Sequence, residues 1–351
     1  MIEPVQIETY TLGEGEKSFL IAELSANHDR DLDLALRLVD IAADAGWDCI
    51  KFQTYNADSL TVPSSHASMK IDKVWGTHNL YDLYNNAGMP MEFHAPLFAK
   101  ARDRGLIPFT SIYDPRDLDF VEGLDCAVYK IASFEMTFDD LLIAVAQTGK
   151  PIIMSTGMAN LDEVDHAMEV LDKHNSGPVI LLHCVSSYPA PIEEVNLASM
   201  ATLRDRFGRH VGFSDHTIGS QVALTAAAMG AVAIEKHFTD DMTRPGPDHR
   251  FSATPDVLRE IANGARMIHT ACGSAAKETA QAETANREAF RRSAFALRDL
   301  VAGAVLSPED YRFVRPNAGV PVSEKQDLID RALARDVKKY DPISYDDLVP
   351  R

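Results

Sequence analysis

Ala231-Val232-Ala233-Ile234-Glu235-Lys236-His237 is the stretch whose reading decides the fold. Its first four residues are uniformly apolar, and a strand without alternation is one covered on both faces, as in a parallel sheet. The run then stops on three ionisable side chains. Just upstream, Val211-Gly212-Phe213 stops in the same way on Ser214-Asp215-His216-Thr217, and six earlier runs repeat the form. Ser18 to Ala22 leads to Glu23 and Ser25 to His28, Cys49-Ile50 to Lys51-Phe52-Gln53-Thr54-Tyr55, and Leu106 to Phe109 to Thr110-Ser111. Ala127 to Tyr129 leads to Lys130 through Glu135, Pro151 to Met154 to Ser155-Thr156-Gly157, and Val179 to Leu182 to His183, Ser186 and Tyr188. Polar residues just past the carboxyl ends of eight parallel strands converge on one mouth, where a (β/α)8 barrel carries its active site. The expectation is an α/β TIM barrel that is an enzyme.

Helical spacing fills the gaps between runs. Leu32, Ala35, Leu36, Val39, Ala42 and Ala43 follow the i, i+3, i+4, i+7 rule up to Gly46, and Val164–Val170 and Val222–Ala228 behave alike. No Gly-x-Gly-x-x-Gly follows the first run, so a dinucleotide fold has little support. The stretch His66–Ala95, between the second and third strands, is too long for a simple connection and reads as a substrate loop or as a surface insertion. A barrel needs about 250 residues, and the chain has 351. The division expected is a catalytic barrel over 1–273, an Ala/Glu/Lys/Thr-rich linker over 274–288 and a small short-strand domain over 289–351. That last piece is too small to hold a strong core alone.

Lysine and arginine number 34 against 52 aspartates and glutamates, a formal charge of −18. A surface of that sign repels nucleic acid and anionic membranes. No segment approaches the roughly 18–20 apolar residues of a membrane span, and Met1–Gly15 carries no signal-peptide pattern. The four cysteines show no paired spacing and read as free thiols. A cytoplasmic location is expected.

An anionic substrate is still possible where cations gather in one cleft. Lys51, Lys130 and Lys236 each follow apolar strand residues, where a cation is costly to bury without an anion. With the hydroxyls of Ser133, Ser155 and Ser214 they read as a phosphate cradle. The alternatives are a salt bridge to a neighbouring carboxylate, such as Glu235 for Lys236, or a Schiff-base lysine. His216 and His237 fall at adjacent strand tips, where two imidazoles can share a divalent metal; each also reads as a hydrogen-bonded rim histidine. Imidazole with oxygen ligands suits Mn, Mg or Co. Glu23, Glu135 and Asp248 are candidate acid–base groups or sugar ligands, and Arg244-Pro245-Gly246-Pro247 either holds Asp248 over the mouth or is a solvated turn.

At these residues the chain resembles the sialic acid synthase family, enzymes that condense phosphoenolpyruvate with an N-acetylated sugar. The matching stretches include Ile21–His28, Lys51–Tyr55, Tyr129–Glu135, Ser155–Met158, Tyr188–Pro191, Ser214–Thr217 and Glu235–Phe238. Glu23–His28 and Leu80–Tyr84 resemble the pseudaminic acid synthase branch, whereas Arg244–Asp248 reads like the neuraminate or legionaminate branches. The small C-terminal domain resembles an antifreeze-like (SAF) domain. Arg315-Pro316-Asn317 stands where many members have Arg-Pro-Gly.

The resemblance implies a transferase joining phosphoenolpyruvate to 2,4-diacetamido-2,4,6-trideoxy-altrose, with N-acetylneuraminate or legionaminate synthesis as the alternative. It implies that His216 and His237 hold the divalent metal. Lys51, Lys130, Ser133, Ser155 and Ser214 would bind phosphoenolpyruvate, with Ser186 near them. Glu23, Gln53, Tyr188 and Asp248 would face the sugar or its reacting carbon, and Glu135 would sit beside the reacting atoms. It implies a domain-swapped homodimer in which Arg315 reaches the sugar's N-acetyl group from a second subunit.

Overall fold

The computed structural model describes residues 2–71 and 79–350. The eight apolar runs form a closed parallel barrel. A short hairpin precedes it, β1 (Val5–Ile7) against β2 (Tyr10–Leu12). The staves are then β3 (Phe19–Glu23), β4 (Cys49–Thr54), β5 (Ile107–Ile112), β6 (Tyr129–Ile131), β7 (Ile152–Ser155), β8 (Val179–Cys184), β9 (His210–Asp215) and β10 (Ala233–His237). They lie in chain order, and β10 closes the ring onto β3, with His237 opposite Glu23.

Helices cover the outer face. Leu32–Asp44 begins at Asp31, whose carboxylate accepts from the Asp33 and Leu34 amides, a side-chain cap that satisfies orphan donors of the first turn. Leu161–Lys173 opens on Asn160 with a capping box to Glu163. Each turns its apolar stripe inward: Leu34, Leu38 and Val39 from the first, and Val164, Met168 and Leu171 from the second, join one buried cluster with the outward-facing strand residues. Because both strand faces are covered, β3, β5, β6, β7, β9 and β10 are buried at every position. That is why their sequence runs show no alternation.

Residues 274–351 form a second compact unit with its own core, which includes Ala294, Leu300, Val320, Leu333 and Ile343. It contains β11 (Ser293–Ala296) paired antiparallel with β12 (Tyr311–Val314). The apolar run at 332–334 contributes isolated bridges only, Ala332 to Val305 and Leu333 to Leu348. No helix of the described residues is long and apolar enough to cross a membrane.

The stretch from His66 to Ala95 is more ordered than a loop reading suggests. It contains a helix over Leu80–Ala87 and the start of another over Met91–Asp103. Residues 72–78 within it lie outside the described residues.

Candidate active site

Alternation along the strands sorts the tip residues into two sets, because neighbours on a strand point to opposite faces. Glu235 and His237 line a cavity of about 380 Å³ at the carboxyl ends of the staves, together with Lys51, Gln53, Lys130, Ser155 and Ser214. Lys236, between Glu235 and His237, points away. Its Nζ donates to Asp215 Oδ2 at 2.7 Å and to Thr217 O at 2.7 Å, buried outside the cavity. This corrects two expectations. Of the three lysines expected to form an anion cradle, Lys51 and Lys130 line the cavity and Lys236 does not, and the carboxylate that neutralises Lys236 is Asp215. Glu235 cannot serve it from the opposite face of the same strand.

The two remaining lysines are differently held. Lys51 Nζ stands 2.9 Å from Glu23 Oε2 and 3.5 Å from Glu235 Oε2, and donates to Ser111 Oγ at 3.1 Å. Burial opposes its charge, but the two carboxylates outweigh burial and hold Lys51 above its ordinary value. Lys130 donates to Ser155 Oγ at 2.7 Å and to Ile131 O at 3.0 Å. Burial pulls it below the ordinary lysine value and Glu235 offsets this only in part. A ligand anion would therefore find its strongest unmet demand at Lys130. Burial would raise Glu235, but Lys130 and Lys51 together keep it low, and Ser214 Oγ donates to it at 2.9 Å.

Hydroxyls crowd the same wall. Ser133 Oγ accepts from the Gly157 amide at 3.1 Å and lies 3.1 Å from Cys184 Sγ, with Ser186 beside it in the lining. An alanine at 157 would place its Cβ 2.7 Å from Cys184 Sγ and 2.8 Å from Ser133 Oγ, so the Gly157 backbone approaches where no side chain fits.

Glu23 is fully buried and does not line the cavity. It grips Lys51 and accepts from Gln53 Nε2 at 2.7 Å, so it stands behind two groups that line the cavity. Burial pushes it up to about 7, against the pull of Lys51. Glu135 does reach the cavity, and burial pushes its carboxyl up to about 7 as well, with Lys130 opposing. Glu135 Oε2 has no hydrogen-bond partner among the described residues.

The histidines face one another with ring centroids 5.4 Å apart. His216 Nδ1–H donates to Val185 O at 2.8 Å, which leaves the lone pair on Nε2. His237 Nδ1 is buried without a hydrogen-bond partner among the described residues, and Asp248 Oδ2 lies 3.9 Å from it. Burial holds both imidazoles below their ordinary value, His237 far below it with the help of His216 and Lys51. Two neutral imidazoles, one with its tautomer fixed by a carbonyl, fit metal ligation. Among the described residues no group of three or more His, Cys, Asp or Glu could hold a metal, so oxygens from water or substrate would complete the shell.

Tyr188 lies against His216 with centroids 4.3 Å apart. Asp248 is held over the mouth by the Ser25 hydroxyl and, at 3.4 Å, by the Ala26 amide. The Pro/Gly loop is therefore a built element of the site and not a solvated turn. Arg315 belongs to the second unit, where its guanidinium lies 5.6 Å over the Phe290 ring. Tyr55, Tyr84, Tyr113 and Cys184 also line the cavity, a role the sequence alone does not assign to them. Tyr55 and Tyr113 sit directly after β4 and β5, so the strand-tip rule that found the others applies to them.

A NeuB family model matches residues 38–277, and a SAF domain model matches residues 291–349. The chain is 35% identical over 333 residues to the pseudaminic acid synthase of Campylobacter jejuni, covering 95% of this chain and 97% of that one. It is 36% identical over 327 residues to the N,N'-diacetyllegionaminic acid synthase of Legionella pneumophila, covering 92% of each. The crystal structure of the N-acetylneuraminic acid synthetase of Leptospira borgpetersenii in complex with citrate superposes with a TM-score of 0.73 at 31% identity, over 82% of this chain and 95% of that one. With its closed barrel and the small module that follows, the chain belongs to the NeuB family and carries a C-terminal SAF domain.

Proposed function

We propose that this protein is a phosphoenolpyruvate-dependent nonulosonic acid synthase, and that its acceptor is 2,4-diacetamido-2,4,6-trideoxy-altrose, which makes it a pseudaminic acid synthase. The observation that carries the reading is the single cavity in which Lys51 and Lys130 adjoin the His216–His237 pair. Relatives named pseudaminic acid synthase support the choice of sugar. The comparable identity to a legionaminic acid synthase keeps that acceptor as the second reading.

In this scheme Lys51 and Lys130, with Ser133, Ser155, Ser186 and Ser214, grip the phosphate and carboxylate of phosphoenolpyruvate and aim its vinyl carbon at the sugar aldehyde. Gln53, Tyr188 and Asp248 orient the open-chain sugar, and Glu23 acts from behind by fixing Lys51 and Gln53. His216 and His237 would hold a divalent cation of the Mn, Mg or Co type, which would polarise the aldehyde carbonyl. The carbon–carbon bond forms as positive charge develops on the ether carbon; Glu235 supplies a fixed negative charge in the same cavity, while Lys51 and Lys130 neutralise the phosphate and carboxylate. Glu135, poised near 7 by burial, takes a proton from the water that adds there. That proton balances the alkoxide left on the former aldehyde oxygen. The carbon–oxygen bond to phosphate then breaks with its electron pair going to phosphate, which takes up the proton of the added hydroxyl as the ketone forms. No lysine becomes covalently attached.

We further propose a domain-swapped homodimer acting in the cytoplasm, with Arg315 of one subunit serving the site of the other. Phosphate release and product mass, followed with phosphoenolpyruvate, Mn and each acceptor in turn, test the reading. The trideoxy-altrose derivative is expected to be consumed and a chelator to stop it. Consumption of N-acetylmannosamine or the legionaminate precursor instead would reassign the sugar, and a borohydride-labelled Lys51 or Lys130 would replace the mechanism.

A further inference from the structure

The helix Leu80–Ala87 carries apolar residues at Leu80, Leu83, Tyr84 and Ala87, the i, i+3, i+4, i+7 pattern of a helix that packs on a core. Yet none of its residues is buried. All four line the cavity instead, with Leu60 and Ile71 beside them. Apart from the Tyr84 phenol the six contribute no polar side chain, in a cavity also lined by Lys51, Lys130, Glu135 and Glu235. A helix whose apolar stripe borders a cavity leaves that stripe to be covered by a ligand.

We propose that this wall is the specificity determinant for the acceptor, and that it receives the methyl group at the far end of a 6-deoxy sugar. The inference rests on the synthase reading given above, and names the feature of the acceptor that the site recognises. A ligand held by the lysines and histidines shares its cavity with Leu80 and Leu83, and on this proposal its methyl end is the part that meets them. A methyl group gains by leaving water there. A hydroxyl at the same carbon would lose its water partners against leucine side chains that offer none in return. An apolar pocket discriminates against an added hydroxyl only modestly, on the order of tenfold to a hundredfold, so the preference should be measurable and not absolute.

The test uses a matched pair, 2,4-diacetamido-2,4,6-trideoxy-altrose and its 6-hydroxy counterpart, with the full-length protein, Mn and phosphoenolpyruvate. The 6-deoxy sugar should give a kcat/KM at least about tenfold higher. Leu83→Asn and Leu80→Asn should bring the ratio towards one, mainly by weakening use of the deoxy sugar, while calorimetric affinity for phosphoenolpyruvate is kept. Equal kcat/KM values in the wild-type protein overturn the inference and leave the synthase reading standing. A preference unchanged in both variants overturns it too. If neither acceptor is consumed although phosphoenolpyruvate binds, the altrose acceptor is wrong and the inference falls with it; the synthase reading itself falls only if N-acetylmannosamine and the legionaminate precursor are not consumed either. Should both variants lose phosphoenolpyruvate binding, the wild-type ratio decides.

Discussion

Lys51 Nζ lies 2.9 Å from Glu23 Oε2, and both side chains are buried. Glu23 also holds Gln53, so one carboxylate fixes two groups that line the cavity. Replacing it with alanine leaves a buried ammonium whose remaining carboxylate, Glu235, is 3.5 Å away. Removing one partner of a buried pair costs about 3–5 kcal/mol, whereas Gln53→Ala deletes hydrogen bonds worth about 1 kcal/mol each. Urea unfolding should rank Glu23→Ala well below Gln53→Ala in stability. Equal losses would show that Glu23 is not the anchor of this corner.

Lys130 and Lys236 make a sharper pair, since both are buried strand lysines of identical chemistry. Lys130→Met should abolish calorimetric binding of phosphoenolpyruvate with a smaller effect on folding than Lys236→Met. The hydrogen-bond partners of Lys130, Ser155 and the Ile131 carbonyl, are neutral, and Glu235, the carboxylate it helps to keep ionised, retains Lys51 at 3.5 Å. Lys236→Met should leave binding nearly intact but destabilise the fold by about 3–5 kcal/mol, because Asp215 loses its counter-ion. Loss of phosphoenolpyruvate binding in a folded Lys236→Met protein would contradict the face assignment.

That assignment explains what could and could not be read from the chain. The barrel was legible because eight apolar runs ended alike, and burial on both strand faces leaves that mark. The lysines were legible as expensive cations, but not their partners. Glu235 and Lys236 are neighbours in sequence and lie on opposite faces in space, and the partner of Lys236 comes from β9, 21 residues earlier. Glu23 looked like a substrate ligand because it ends a strand, yet Lys51 and Gln53 from the next stave close over it. The hairpin at Val5–Leu12 carries three-residue strands too short for a periodic signal. The apolar wall at Leu80–Ala87 was hidden for another reason: its pattern predicts a stripe that needs a cover, without saying whether protein or ligand provides it.

Glu135 gives a pH-dependent prediction. Its carboxyl sits at about 7 in the folded protein against an ordinary 4.5. Between those values the folded chain binds the proton that the unfolded chain has released. This group therefore lowers stability progressively as pH rises through that window, and costs nothing below it. Glu135→Gln should gain in stability relative to wild type from pH 4.5 towards about 7, read as the difference between two urea series. Turnover of the variant should fall at every pH, with loss of the wild-type rate limb near neutrality. A constant stability difference across the window would mean that Glu135 titrates normally.

The proposed exchange of Arg315 between subunits can be tested by mixing two inactive proteins. His237→Ala removes an imidazole from its own barrel, and Arg315→Ala removes a guanidinium that, in a swapped dimer, serves the other barrel. A mixed dimer then contains one site with both defects and one with neither. Random exchange makes half of the dimers mixed and half of their sites intact, so activity should recover to about a quarter of wild type. If each Arg315 acts on its own barrel, every site in the mixture keeps one defect and nothing is regained. The two outcomes differ in the presence of activity and not merely in its amount. Neither substitution touches the lysine cradle, so calorimetric affinity for phosphoenolpyruvate should be unchanged in both parents, and a shared loss of that affinity would point to misfolding instead.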